Sequence, residues 1–222
     1  MYHFIVGMGE IGKSLYNILC EGDNLVMTKD IDPVLNGDPI GEVDIMHICF
    51  QYSDIFLSDV EGLQKEYKPK YTVIHSTVPV GTSRKLNAIH SPIRGVHPNL
   101  EEGIRTFPKF LGGEQASEVA DYFRRLGMKV ILFDKQETTE ALKLFDTEYY
   151  KVNIEFAQRV KRFCDKHNLN FSEVYTIPNQ TYNEGYTKLG MPEVVRPVLQ
   201  PIMKEIGGHC LLPNSKMLKE DE

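Results

Sequence analysis

The sequence has no long apolar run, no excess of basic residues and no closely spaced pair of cysteines. No stretch approaches the roughly 20 apolar residues that a membrane-spanning helix needs. The net charge of −6 gives no support for binding to nucleic acid or to an anionic membrane surface. The first residues have a strand pattern rather than a basic segment followed by an apolar one, so we expect no signal peptide.

The four cysteines are Cys20, Cys49, Cys164 and Cys210, and no two of them form a C-x-x-C pair. Widely spaced cysteines are typical of reduced thiols rather than of a disulfide framework, so we expect a cytoplasmic protein. No cluster of histidine, cysteine and acidic residues has metal-site spacing, and we expect no metal. With 222 residues, the chain is long enough for one or two domains.

The N-terminal stretch has the pattern of a strand, a glycine-rich turn and a helix. A short apolar run ends at Val6, and three glycines follow it at the spacing G-x-G-x-x-G. Such glycines permit a tight turn, close approach of the backbone to a pyrophosphate, and close packing of helix on strand. The helix N-terminus then presents N–H groups to the phosphates. The predicted cofactor-binding residues of this loop are Gly7, Met8, Gly9, Glu10, Ile11 and Gly12.

An acidic residue follows the second predicted strand at the distance that a dinucleotide site requires. Asp30 lies 21 residues after Gly9. A carboxylate there accepts hydrogen bonds from the ribose hydroxyls, and it repels the 2′-phosphate of NADP. We therefore predict that Asp30 binds NAD. The alternative is an ordinary strand–turn–helix with a surface aspartate.

Strands alternate with helices through the first 135 residues. The candidate strands are residues 4–6, 25–27, 44–50, 71–75, 93–96, 110–111 and 130–133. This alternation predicts an α/β domain with a doubly wound, Rossmann-type parallel sheet over residues 1–135. Ligands bind beyond the carboxyl ends of such strands, so we expect Ser76 and Thr77 to lie in the cofactor crevice.

The second part of the chain has helical periodicity. From Thr139, apolar residues recur every three or four positions, at Leu142, Phe145, Tyr149, Val152, Phe156, Val160 and Phe163. The pattern predicts a helix of about 28 residues, about 42 Å long. Residues 136–222 are therefore predicted to form a smaller all-α domain. One small domain cannot cover so long an apolar stripe, so we expect a homodimer built mainly on residues 137–205.

Four stretches together resemble the UDP-glucose/GDP-mannose dehydrogenase family, NAD enzymes that oxidise a sugar alcohol to a carboxylate in two hydride steps. They are the glycine loop with Asp30, S-T-V-P-V-G-T at 76–82, T-E-A-L-K-L-F at 139–145, and G-G-H-C at 207–210. The match covers the family's NAD-binding and middle domains and has no counterpart of its third domain. Two alternatives follow: a smaller substrate, or a third domain on another chain.

The resemblance implies roles for three residues, which we expect to meet beside the nicotinamide. Thr77 resembles the threonine that helps hold catalytic water, and Lys143 the lysine that stabilises alkoxide and oxyanion intermediates. Cys210 resembles the nucleophile that captures the aldehyde as a thiohemiacetal. The resemblance therefore implies an NAD-dependent oxidoreductase acting on an alcohol of a nucleotide sugar or a similar small hydroxy compound.

Two positions depart from the family pattern. Thr147 stands where the family has asparagine, and Asn214 stands where it has aspartate. Both are candidate substrate-binding residues, but asparagine cannot act as a base. Glu101 lies where the family carries loop glutamates used in hydrolysis. These departures leave open a non-catalytic dinucleotide-binding protein.

A second resemblance is to prephenate dehydrogenases. The stretch G-V-H-P-N at 95–99 is similar to their Gly-x-His-Pro turn, whose histidine contacts the alcohol being oxidised. It implies that His97 and Asn99 bind substrate, with the alternative of a loop histidine beside a proline. A two-electron hydroxy-acid dehydrogenase is thus a further alternative.

Overall fold

The computed structural model describes residues 1–222 except 23, 38, 40, 96–98, 202, 204–210 and 222. In this part of the chain the strands are β1 (Tyr2–Val6), β2 (Leu25–Lys29), β3 (Ile45–Ile48), β4 (Tyr71–Ile74), β5 (Ile89–His90), β6 (Lys109–Gly112) and β7 (Val130–Phe133). The α-helices are α1 (Glu10–Cys20), α2 (Phe56–Tyr67), α3 (Thr82–Lys85), α4 (Leu100–Thr106), α5 (Ala116–Arg125), α6 (Gln136–Lys166), α7 (Ile177–Lys188) and α8 (Leu211–Asp221).

The strands form one sheet in the order β2-β1-β3-β4-β5-β6-β7. Neighbouring strands are parallel except β5 and β6, which are antiparallel. The chain leaves β1 on one side for β2 and returns to its other side for β3. In open α/β sheets, ligands bind beyond the carboxyl ends of the strands at such a reversal. The predicted α/β fold with a mostly parallel sheet is confirmed.

Helices cover both faces of this sheet. Successive residues of each central strand point to opposite faces, and apolar side chains on each face pack against helices. Ile5 of β1 belongs to an apolar cluster with Leu15 of α1 and Phe123 of α5. The preceding residue, Phe4, belongs to a second cluster with Phe56 of α2. A strand buried on both faces is mainly apolar and lacks the alternation of a half-exposed strand, and this pattern predicted the central strands.

The chain divides into two compact units, one comprising Met1–Leu144 with Asp221 and the other Phe145–Glu220. The second unit is helical, as predicted, and includes a π-helical turn at Ser172–Thr176. Helix α6 has 31 residues and begins one residue after the predicted boundary at 135. Its first turns belong to the first unit, because Thr139, Glu140 and Leu144 are fully buried there.

One predicted strand, at residues 93–96, is wrong for the three residues that the structure describes. Ile93 is buried in the core, but residues 93–95 form a loop, and the strand is Ile89–His90 instead. Pro92 has no N–H to donate to a neighbouring strand, so the pairing ends before it. The apolar pattern after Pro92 reflects burial rather than strand pairing.

Among the described residues, no helix is both long and apolar enough to cross a bilayer.

Candidate functional site

The glycine turn after β1 packs against the backbone that follows β3. Gly7 has φ +94°, and a Cβ there would lie 2.7 Å from the backbone nitrogen of Phe50. A Cβ on Gly12 would lie 2.0 Å from the carbonyl oxygen of Gly7. Both positions therefore require glycine, one for the turn and its neighbour and the other for the close approach of α1.

Gly9 differs from these two glycines. Among the described residues, no heavy atom lies within 4 Å of the place that its Cβ would occupy, and its φ is −66°. The fold itself therefore does not require glycine at this position. Gly9 immediately precedes α1, whose first N–H groups have no acceptor within the helix. The open space beside Gly9 and these N–H groups fit the pyrophosphate of a dinucleotide.

The Asp30 carboxylate lies at the edge of this turn. The backbone N–H of Met8 donates to its Oδ2 at 2.5 Å, and the N–H of Asp32 donates to its Oδ1 at 3.1 Å. Partial burial alone would raise the pKa of Asp30, but N–H donation from Asp32, Met8 and Ile31, with the charge of Lys13, lowers it overall. A carboxylate that stays ionised suits the ribose hydroxyls of a dinucleotide.

The loop after β4 joins the same edge of the sheet. Ser76 is buried, and its hydroxyl donates to the carbonyl oxygen of Phe50 at 2.5 Å. Phe50 is also the residue against which Gly7 packs. The loops after β1, β3 and β4 are therefore neighbours, and Thr77 follows directly, partly buried.

The first turns of α6 are fixed to this loop by a buried carboxylate. Glu140 is fully buried, and its two oxygens accept from the backbone N–H groups of Gly81 at 2.6 Å and Ser83 at 2.7 Å. Burial raises the pKa of Glu140, while the hydrogen bonds from Ser83 and Gly81 counteract the rise. The contact ties the helix that carries Lys143 to the loop that carries Thr77.

A second buried contact ties the same two segments. The Nε2 atom of His90 lies 3.2 Å from the carbonyl oxygen of Ser76, and its Nδ1 lies 2.9 Å from Oγ1 of Thr139. The Thr139 side chain also fits only because residue 112 is glycine, where a Cβ would lie 2.5 Å from Oγ1. Ser76 and the first turn of α6 are thus joined through one imidazole ring.

Lys143 lies one helical turn after Thr139 and is partly buried. Burial lowers the pKa of His90 to about 3, against its hydrogen bond to Ser76, and the charges of Lys109 and Lys143 lower it further. His90 is therefore neutral near pH 7, and it feels the charge of Lys143. The arrangement places a cation on the helix that Glu140 and Thr139 hold against the Ser76 loop.

Thr147 and Asn214 lie in the second unit and contact each other. The Asn214 amide donates to Oγ1 of Thr147 at 3.3 Å. Beside them, Lys151 Nζ donates to the Ser215 hydroxyl at 2.8 Å, and that hydroxyl donates to Glu148 Oε2 at 2.7 Å. These contacts join the start of α8 to α6.

The remaining candidate catalytic and substrate-binding residues are Cys210, His97, Asn99 and Glu101. Cys210 and His97 lie outside the described residues. Asn99 is exposed, and Glu101 accepts from Asn17 at 3.0 Å and from Arg105 at 3.3 Å on the surface. The sequence interpretation missed His90, Thr139 and Glu140 as individual residues. The last two begin the T-E-A-L-K motif, so their signal was present.

Together, the sheet order, the glycine turn and the following long helix define a Rossmann-type fold with a helical second unit. No protein-family model and no curated protein matches the sequence. Solved structures do match it. The UDP-D-ManNAc dehydrogenase of Pyrococcus horikoshii superimposes with a TM-score of 0.81 at 18% identity, over 100% of this chain and 64% of its own.

Two further structures are similar. The UDP-N-acetyl-mannosamine dehydrogenase Cap5O of Staphylococcus aureus matches with a TM-score of 0.71 at 18% identity, over 99% of this chain and 66% of its own. The 3-hydroxyisobutyrate dehydrogenase of Mycobacterium tuberculosis matches with a TM-score of 0.62 at 12% identity, over 99% of this chain and 79% of its own. The chain thus spans less than two thirds of the sugar-nucleotide enzymes. At these identities the likeness confirms the resemblance at the level of fold.

Proposed function

We propose that this protein is an NAD-dependent dehydrogenase that oxidises a CH–OH group of a nucleotide sugar or a related small hydroxy compound. The observation that carries the proposal is the turn at Gly7–Gly12. Two of its glycines are required by packing, while Gly9 faces open space and follows Met8, whose N–H donates to the Asp30 carboxylate. The similarity of fold to dehydrogenases over the whole chain supports the same assignment.

NAD is the proposed cofactor, and it supplies the hydride acceptor when bound. The Asp30 carboxylate would accept from the ribose hydroxyls and would repel a 2′-phosphate. Fluorescence titrations with NADH and NADPH test the preference, with tighter binding of NADH as the expected result. Equal or tighter binding of NADPH would overturn the preference for NAD, and binding of neither would overturn the proposal itself.

Three residues are proposed to carry the chemistry. Lys143 would stabilise the alkoxide and later oxyanions, because a fixed ammonium acts strongly where negative charge develops. Thr77 would hold the catalytic water beside the cofactor. Cys210 would add to the aldehyde carbon as a thiolate and form a thiohemiacetal, since a thiolate is a strong nucleophile near neutral pH.

The substrate class is tested by incubating the protein with NAD and a panel that includes UDP-glucose, UDP-N-acetylmannosamine, prephenate and 3-hydroxyisobutyrate. Formation of NADH, measured by its ultraviolet absorbance, is expected with one of the UDP-sugars. Turnover of prephenate or 3-hydroxyisobutyrate alone would favour a two-electron hydroxy-acid dehydrogenase. No turnover of any compound by a protein that binds NADH would favour a non-catalytic dinucleotide-binding protein.

A second candidate function is a dehydrogenase that stops after one hydride step. The contact between Thr147 and Asn214 favours it, because neither side chain is a base for opening a thioester. Counting the NADH formed per UDP-sugar consumed distinguishes the two candidates. Two equivalents support the four-electron reaction, and one equivalent supports the two-electron reaction.

A homodimer is proposed to form through α6. Five large apolar residues on one stripe of this helix are about half exposed: Phe145, Tyr149, Val152, Phe156 and Phe163. Exposed apolar stripes of this size mark interaction surfaces. Val152→Glu is expected to give a monomer in analytical ultracentrifugation. Arg162→Glu, about 100° round the helix from Phe163, is the control and should leave a dimer. A monomeric wild-type protein at micromolar concentration would overturn the proposal.

A cytoplasmic location is proposed from the thiols. Cys20, Cys49 and Cys164 are free cysteines in the structure. Reduced thiols are typical of the cytoplasm. Fractionation of cells that produce the full chain tests the location, and recovery outside the cytoplasmic fraction would contradict it.

A further inference from the structure

Three buried histidines form a hydrogen-bonded row across the centre of the sheet. His3 on β1, His47 on β3 and His75 directly after β4 are at most 1% exposed. The Nδ1 atom of His3 lies 2.9 Å from Nε2 of His47, and Nδ1 of His47 lies 3.0 Å from Nε2 of His75. Because each nitrogen contact is within hydrogen-bond distance, one ring of each pair must donate and the other must accept.

The rings lie end to end rather than face to face. Neighbouring ring centroids are 5.2 Å apart, and the ring planes differ by 22° and 17°. A linear N–H···N contact between coplanar imidazoles gives about this separation. The row is also diagonal. His47 pairs with Ile5, two residues beyond His3, and His75 lies two residues beyond Val73, the partner of His47. It therefore runs from the amino end of the sheet towards the carboxyl end.

A buried lysine stands at the carboxyl end of the row. Lys109 of β6 is 3% exposed, and its Nζ lies 3.2 Å from Nδ1 of His75 and 3.3 Å from the Ser91 carbonyl oxygen. The same His75 Nδ1 lies 2.9 Å from that oxygen. Phe123 also faces the ammonium, with its ring centroid 5.6 Å from Nζ.

The row can be hydrogen-bonded in either direction, and each protonation state of Lys109 fits one of the two directions. An ammonium donates to Nδ1 of His75, so the hydrogen of that ring is on Nε2 and is donated to His47, which donates from its own Nε2 to His3. An uncharged amine lets Nδ1–H of His75 donate to the Ser91 carbonyl. Its Nε2 then accepts from His47, and Nε2 of His47 accepts from Nδ1–H of His3. In the second pattern every hydrogen bond between the rings runs in the opposite direction, and every ring is the other tautomer.

The other end of the row is unsatisfied. Nε2 of His3 is buried and has no hydrogen-bond partner among the described residues, and the same holds for the hydroxyl of Tyr122. The Tyr122 ring lies against His3, with centroids 4.4 Å apart. A terminal nitrogen without a fixed partner can carry a hydrogen or a lone pair, so neither pattern is enforced at this end.

We propose that His3, His47 and His75 form a proton-transfer chain that exchanges the proton of Lys109 through the interior of the sheet. On loss of the Lys109 proton, an N–H bond of the ammonium breaks and Nδ1–H of His75 forms. Nε2–H of His75 breaks and Nδ1–H of His47 forms, and Nε2–H of His47 breaks and Nδ1–H of His3 forms. Nε2–H of His3 finally releases one proton, which reaches solvent when the buried end of the row opens transiently. One proton enters the chain, one leaves it, and each ring remains neutral.

The pKa values of the groups in and beside the histidine row agree with this proposal. Burial lowers the pKa of Lys109 to about 7, against the attraction of Cys49, and burial holds the pKa values of His47 and His75 well below 6.5. The positive charge therefore resides on Lys109 rather than on a ring. The other titratable groups that face the histidine row are His90, Tyr122, Asp44 and the amino terminus of the protein.

The test is a pH titration of the full chain with ¹⁵N-labelled histidine, because imidazole ¹⁵N shifts distinguish the two tautomers. From about pH 5 to about pH 9, the three rings are expected to change tautomer together with one midpoint, near the pKa of Lys109. Each ring has Nε2–H below the midpoint and Nδ1–H above it. Separate midpoints, or one tautomer throughout, would overturn the proposal.

Two variants and one control distinguish proton transfer along the row of histidines from a general effect of burial. Across the same pH range, Lys109→Met should hold all three rings as Nδ1–H, whereas Lys129→Met, at an exposed lysine, should leave the titration unchanged. His47→Phe should abolish the response of His3 while that of His75 persists. A pH-dependent His3 in His47→Phe, or an unchanged titration in Lys109→Met, would contradict transfer along the row.

Discussion

The Asn214 side-chain amide donates to the Thr147 hydroxyl at 3.3 Å, across 67 residues of sequence. These are the two positions at which the sequence departs from the sugar-nucleotide dehydrogenase pattern. Because the two side chains are in contact, the departures concern one place in the second unit. An amide that the family pattern puts on α6 is here on α8, and the aspartate of the pattern is missing.

The first prediction concerns this pair. Asn214 is 5% exposed, so Asn214→Asp alone buries a carboxylate and should lower the free energy of unfolding by about 1–3 kcal/mol. Adding Thr147→Asn supplies a donor, and the double variant should recover part of this loss. Thermal unfolding of the four proteins gives the coupling, expected above roughly 0.5 kcal/mol. Asn168→Asp, at an exposed position of the same unit, is the control; additive effects would sink the prediction.

The second prediction separates cofactor binding from folding within one loop. Gly9→Ala places a methyl group in open space, so thermal stability should change little while NADH binding weakens at least tenfold. Gly12→Ala places its methyl group 2.0 Å from the Gly7 carbonyl oxygen, so it should destabilise the fold by several kcal/mol. NADH titration and thermal melts measure both effects. Normal NADH binding by Gly9→Ala would argue against a pyrophosphate site there.

The third prediction concerns the start of α6. Glu140→Gln turns one acceptor oxygen into an NH₂ group that faces a backbone N–H, so it should cost about 1–3 kcal/mol of stability. Glu137→Gln removes the ion pair with Arg84, which is 72% exposed, and should cost less than about 1 kcal/mol. Urea unfolding compares the two variants. Equal costs would mean that the Glu140 carboxylate does not fix the helix.

The fourth prediction tests the proposed chemistry. Lys143→Ala should reduce NADH formation with any active UDP-sugar by a factor of 100 or more, on the order expected for lost oxyanion stabilisation. Cys210→Ser should abolish acid formation and preserve the first oxidation, which needs no nucleophile. Product analysis distinguishes aldehyde from acid. Acid formation at the normal rate by Cys210→Ser would exclude the thiohemiacetal.

The fifth prediction concerns stability against pH. Burial lowers the pKa of His3 from 6.5 to about 4 and that of Lys109 from 10.5 to about 7. The unfolded chain therefore binds more protons in both windows, and stability should rise with pH in each. Lys109→Met should flatten the upper limb, between about pH 7 and 10. Denaturant unfolding across this range tests the slope. A wild-type stability that falls with pH there would contradict it.

The sequence was sufficient for the central strands because each is a buried apolar run beside a glycine or polar turn. It failed at β5, because two residues, one of them His90, are too few to show a period. The apolar Ile93 attracted the strand assignment instead, although it is buried as part of a loop. Burial and strand pairing produce the same apolar signal, and sequence alone does not separate them here.

Some functional features could be predicted from a local motif, and others depend on contacts between distant segments. The glycines and Asp30 have fixed spacing along the chain, so a local motif reveals them. The contact of Glu140 with Gly81, and the row of His3, His47 and His75, depend on how separate segments are brought together. Two histidines in strands β1 and β3 and a third directly after β4 align only in one register, which no local pattern specifies.

The two-residue strand β5 affects how the sheet opens. In the described part of the chain, one residue pair, His90 with Gly112, joins the parallel strands β1–β5 to β6 and β7. The rest of that seam is held by side chains, including the Ser91 hydroxyl, which donates to the Phe110 carbonyl at 2.8 Å. We therefore expect the backbone amide hydrogens of β6 and β7 to exchange with solvent through a partial opening that leaves β1–β5 intact. The sheet is continuous, but its unfolding is expected to be least cooperative at the pairing of β5 with β6.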